Sequence, residues 1–147
     1  MLRAKDIMTE SPVTVSPEMK ISDAAKILLE KGINGVPVVE DGKLVGILCQ
    51  SDLISQQKRF PMPSVFTILD GFIPLSSNRE LEKTVKKIAA TIVSDAMTPD
   101  PVTVGPDTEI EEIAGLMIDR NYHTIPVVEN NELTGVIGKE DILRTLI

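Results

Sequence analysis

Val36-Pro37-Val38-Val39-Glu40-Asp41-Gly42-Lys43-Leu44-Val45-Gly46 is two aliphatic runs joined by a short polar link. Asp-Gly suits a type I′ turn, in which both central residues need positive φ, so the stretch reads as a tight hairpin. The pattern returns as Ile125-Pro126-Val127-Val128-Glu129-Asn130-Asn131-Glu132-Leu133-Thr134-Gly135, with Asn-Asn at the turn, a pair that tolerates the same conformation. The two copies lie 89 positions apart. At that offset residues 6–53 give 17 identities in 48 gap-free pairs, far above chance. The chain is therefore read as two copies of one unit, repeat 1 over 1–54 and repeat 2 over 94–147, with an insertion over 55–93.

Working outward from the hairpin, each unit reads alike. Val13-Thr14-Val15 and its counterpart Val102-Thr103-Val104 follow a proline and predict a short strand. Ile21, Ala24, Ala25, Leu28 and Leu29 recur at helical spacing, as do Ile110, Ile113, Ala114, Met117 and Ile118, so each set predicts a helix with one apolar face. Asp52 and Asp141 follow the hairpins and open a last helix, where a carboxylate can cap free backbone N–H groups. The expected fold class is α/β (α+β), two pseudo-symmetric β-α-β-β-α units. A unit of about fifty residues is marginal alone, and pairing two buries a shared core.

Composition narrows the function. The net charge is −7, and it is uneven: 1–54 carries six basic and eight acidic residues, 55–93 six and three, and 94–147 three and eleven. An acidic chain lacks the clustered positive surface that phosphate neutralisation needs, so no nucleic acid is expected. No apolar run approaches a membrane span, and the N-terminus has no secretory pattern. The lone Cys49 cannot form an internal disulfide, and a cytoplasmic location is expected. One Cys and one His make no dedicated zinc site, and no phosphate loop, nucleophile elbow or paired-acid pattern appears, so no metal and no catalysis are expected.

Asp-x-Met-Thr, Pro-Val-Thr-Val, x-Val-Pro-Val-Val and Gly-x-x-x-x-x-Asp, found in this order twice at one offset, resemble a tandem pair of CBS domains, the family named after cystathionine β-synthase. The resemblance covers both units and leaves out 55–93. It implies two three-stranded sheets packed together, a homodimer, and clefts that bind an adenosine-containing ligand such as AMP, ADP, ATP or S-adenosylmethionine. It implies a regulatory module acting on an enzyme or transporter, with no cofactor required and no chemistry of its own. By that resemblance one cleft combines Ser11, Pro12, Ile33, Asn34 and Gly35 with Asp141, and the other Asp100, Pro101, Tyr122, His123 and Thr124 with Asp52. The aspartates would hold the ribose, since a carboxylate can accept two hydrogen bonds from a cis-diol. Where the family often has Ser or Thr, three residues before the aspartate, this chain has Cys49 and Gly138. Lys139, beside Gly138, would supply charge to the cleft opposite Tyr122, where Gln50 stands in the first copy.

Plainer readings stand beside these. Asp52 and Asp141 also fit simple helix caps, His123 and Tyr122 a cover for the sheet end, and the whole chain a structural dimerisation module without a small-molecule ligand. In the insertion, Phe66, Leu69 and Phe72 sit at i, i+3 and i+6 and are expected at a dimer interface. Residues 78–93 are expected to form an amphipathic helix, with Leu81, Val85, Ile88 and Ile92 on one side.

Overall fold

The computed structural model describes residues 1–59 and 91–147. Phe66, Leu69, Phe72 and most of the 78–93 helix lie outside the described residues. At the far end of that expectation the structure corrects it. Ile92 is extended (φ −110°, ψ 166°) and bridges to Lys20, and its N–H donates to the Asp95 carboxylate at 3.1 Å. Backbone committed to a neighbouring segment cannot continue a helix.

The elements in order are α1 (Ala4–Ile7), β1 (Thr9–Glu10), α2 (Ile21–Lys31), β2 (Gly35–Glu40), β3 (Lys43–Cys49), α3 (Gln50–Arg59), α4 (Val93–Ala96), β4 (Thr98–Pro99), α5 (Ile110–Asp119), β5 (Thr124–Glu129), β6 (Glu132–Gly138) and α6 (Lys139–Arg144). Both hairpins form with two-residue turns, Glu40 pairing Lys43 and Glu129 pairing Glu132. Their turn residues all have positive φ: Asp41 52°, Gly42 79°, Asn130 53° and Asn131 64°. A Lys43–Glu132 bridge joins the halves, so the described strands form one six-stranded antiparallel sheet.

The strand expected at 13–15 shrinks to single bridges, Val15 to Val38 and Val104 to Val127. Prolines on both sides remove the donors a longer ladder would need. The helix faces are narrower than expected. Ala24 and Leu28 are buried, whereas Leu29 is 77% exposed and its counterpart Ile118 81%. At about 100° per residue Leu29 falls some 120° off the centre of the stripe set by Ala24 and Leu28.

The two units interlock. Ala4 of the first arm lies in the second core with Val104, Ile113, Ile125, Val127 and Ile137, and Val93 of the second arm in the first core with Val15, Ala24, Leu28, Val36, Val38 and Leu48. Backbone bonds fasten each crossing: Ala4 N–H to Thr108 O and Val93 N–H to Met19 O, both at 2.8 Å. Strand β1 then pairs with β6, and β4 with β3. The repeated Met-Thr of each arm thus edges the sheet of the other unit, and this exchange shapes the clefts.

Candidate functional site

Each hairpin ends at the N-terminus of a helix, α3 or α6, and the aspartate sits on that helix's third residue. Asp52 Oδ2 accepts the Cys49 N–H and Asp141 Oδ2 the Gly138 N–H, both at 2.8 Å. This is the returning half of a capping box. Asp6 and Asp95 serve α1 and α4 in the same way. The capping role is therefore real for both aspartates, and it occupies one oxygen of each.

The second oxygens differ. Asp52 Oδ1 accepts from the Thr98 hydroxyl at 3.4 Å, a long contact for O–H···O. Asp141 Oδ1 is taken by Arg144 Nη1 at 2.9 Å.

Asp52 faces a cavity of about 470 Å³ that also gathers Asp100, Pro101, Tyr122, His123 and Thr124, the set expected to share one cleft. Ile47, Pro101, Val102 and Tyr122 supply its apolar wall, and Arg120 and Lys139 its cations. Lys139 is a correction, since it was expected to serve the opposite cleft. It is the first residue of α6, and its backbone N–H donates to His123 O at 3.1 Å, which ties it to the Tyr122 side. Thr98, Arg120 and Asn121 were not singled out. Thr98 belongs to the repeated Asp-x-Met-Thr, and Arg120 matches Lys31 across the offset, so both carried a signal.

A second cavity of about 250 Å³ gathers Ile33, Asn34 and Gly35 with Asp141, together with Lys31, Glu140 and Arg144. Ser11 and Pro12 do not line it. Thr9, paired with Val136 through β1, takes that wall instead. Asn34 and Thr124 line both cavities, so the clefts lie back to back. A Cβ on Gly35 would stand 3.1 Å from both Cys49 Sγ and Thr124 Oγ1, so the absence of a side chain there permits this close crossing. Among the described residues no group of acids, histidines or cysteines could hold a metal, and no helix is long and apolar enough to cross a membrane.

The Cys49 thiol lines the larger cavity, and burial, then the negative charge of Asp52, push its pKa up to about 11. It is a neutral thiol at pH 7 and a poor nucleophile. The unfolded chain releases this proton at an ordinary thiol pKa and the folded chain only near pH 11. Stability from this group is therefore intact below the unfolded pKa and falls as pH climbs towards 11. Chemical denaturation across that range should show the fall, and Cys49→Ala should flatten it. An equal fall in both proteins would assign it elsewhere.

The CBS domain profile matches residues 4–59 and 93–147. The chain is 29% identical to the chloroplastic CBS domain-containing protein CBSX2 of Arabidopsis thaliana over 90% of its own length, and spans 58% of that protein. It is 30% identical to MJ1426 of Methanocaldococcus jannaschii, covering 97% of this chain and 90% of that one. Among solved structures, CBSX2 in complex with AMP superposes with a TM-score of 0.75 at 27% identity, covering 99% of this chain and 96% of that one. The CBS domain pair of MJ0100 in complex with 5′-methylthioadenosine and S-adenosyl-L-methionine gives 0.72 at 27% identity, covering 99% and 96%. Two profile matches, one on each interlocked unit, and two CBS pairs of matching fold agree with the repeat: this chain belongs to the CBS-domain family, as a tandem pair.

Proposed function

We propose that this chain is a regulatory module that binds an adenosine-containing ligand in the Asp52 cleft and transmits occupancy to a partner enzyme or transporter. The observation that carries the reading is one cavity holding every group such a ligand needs. Its apolar wall and Tyr122 offer a slot for the base. Asp52 Oδ1, held by a single long contact, is an acceptor for a ribose diol. Arg120 and Lys139 can meet a phosphate, so AMP, ADP and ATP fit as well as S-adenosylmethionine. The AMP bound by CBSX2 and the thioadenosyl ligands bound by MJ0100 support the same ligand class. Calorimetric titration with AMP, ATP, 5′-methylthioadenosine and S-adenosylmethionine tests it. Saturable binding of at least one is expected, and a flat titration with all four would remove the reading.

The module also reads as a cytoplasmic homodimer. Leu29 and Ile118 are one pair matched by the 89-residue offset, and Ile54 and Leu143 another. All four are exposed, at 77%, 81%, 70% and 56%, on α2, α5, α3 and α6. Burying an aliphatic side chain of this size contributes about 1.5–3 kcal/mol, so a second copy of the chain covering these side chains would gain substantially. Leu29→Glu combined with Ile118→Glu should give a folded monomer in analytical ultracentrifugation. A dimer of unchanged strength would place the interface elsewhere.

A further inference from the structure

Because the clefts are related by the repeat, matched positions isolate what each can do. Asp52 and Asp141 match, and each commits Oδ2 to its helix. Three residues on, the matched positions hold Ser55 and Arg144. Arg144 lines the smaller cavity and closes on Asp141 Oδ1 at 2.9 Å.

We propose that Arg144 is an internal plug that withdraws Asp141 from ligand binding, so that each chain takes a single adenosine ligand, in the Asp52 cleft. This rests on the adenosine reading and deepens it. A ribose hydroxyl entering the Asp141 cleft must displace a guanidinium and replace a charge-assisted hydrogen bond with one from a neutral donor. The Asp141 side chain is only 12% exposed, so the attraction is less screened than in an open surface pair. The Arg144 side chain is 71% exposed and keeps its hydration, so it reaches the carboxylate with little desolvation. It also lines that cleft, a cavity of about 250 Å³ against about 470 Å³ on the other side. Ser55 is exposed and offers Asp52 no such partner.

Titration of the full chain with AMP and with 5′-methylthioadenosine, by calorimetry, tests the plug. The unaltered chain should bind one equivalent. Arg144→Ala should bind two, and Arg144→Gln, which keeps much of the length without the charge, should do the same if the alanine variant loses helix. Asp52→Ala with Arg144→Ala should retain one equivalent, now at Asp141. Ser55→Arg should install the plug in the other cleft, so that no equivalent is taken up at ligand concentrations that saturate the unaltered chain. Two equivalents in the unaltered chain, or one in a folded Arg144→Ala chain, would overturn the plug while leaving the adenosine reading in place. Failure of the unaltered chain to bind any of the four ligands named above would overturn both.

Discussion

Gly46→Val should leave the chain unable to keep its fold, and Gly135→Val likewise. A Cβ on Gly46 would stand 2.6 Å from Met97 Sδ and 3.0 Å from the Thr98 carbonyl oxygen; on Gly135 it would stand 2.5 Å from Met8 Sδ and 2.9 Å from the Thr9 carbonyl oxygen. The thioether can swing aside, but the carbonyl belongs to β1 or β4, whose backbone is paired to that same strand. The substitution must therefore push out the crossing arm, and with it Val93 or Ala4, each fully buried in the opposite core. Overpacking alone costs about 1–3 kcal/mol, and loss of a docked arm adds to it, against a total stability of about 5–15 kcal/mol for a domain. Urea denaturation should show Gly46→Ala destabilised by about 2–3 kcal/mol, partly restored by adding Met97→Ala, which removes the sulfur and leaves the carbonyl. Gly115→Ala is the control. Its Cβ would meet only Asp119 Oδ2, at 3.9 Å, inside helix α5, so it should stabilise by about 0.5–1 kcal/mol. Equal behaviour of the three glycines would refute the crossing-arm account.

Asp52→Ala should weaken ligand binding by roughly ten- to a hundredfold, the worth of one or two hydrogen bonds to a charged acceptor. It should also cost about 1 kcal/mol of stability, because the Cys49 N–H loses its cap. Asp52→Asn separates the two effects. An amide oxygen still accepts the Cys49 N–H, so stability should largely return, while the uncharged group holds a diol less well. Asp141→Ala should lose similar stability with little change in affinity, since its cap is the same and its free oxygen is taken by Arg144. Equal affinity losses at Asp52 and Asp141 would contradict the asymmetry of the clefts.

What could be read in advance depended on how local the determining interactions are. The hairpin turns are set by four residues, and Asp41-Gly42 and Asn130-Asn131 take the positive φ their chemistry allows. The aspartate caps are likewise three-residue events. The crossing arms were not legible, because nothing in Ala4–Ile7 or Val93–Ala96 names the core each enters; only the repeated Met-Thr beside a distant repeated glycine hinted at it. Leu29 and Ile118 looked like core by spacing, yet spacing fixes an angle on the helix and not the width of the surface that covers it. Ser11 and Pro12 were assigned to the Asp141 cleft by the family resemblance, but β1 puts Thr9 there. The Arg144 plug was within reach of sequence, as Asp-x-x-Arg in one copy against Asp-x-x-Ser in the other. Only the geometry shows that the pair closes inside a cleft.

A crystal structure of the full chain grown with AMP tests the central claim most directly. The account predicts one nucleotide per chain, its base against Tyr122–Thr124, its ribose hydroxyls on Asp52 and its phosphate towards Arg120 or Lys139. A nucleotide seated on Asp141 with the Asp52 cleft vacant would contradict it.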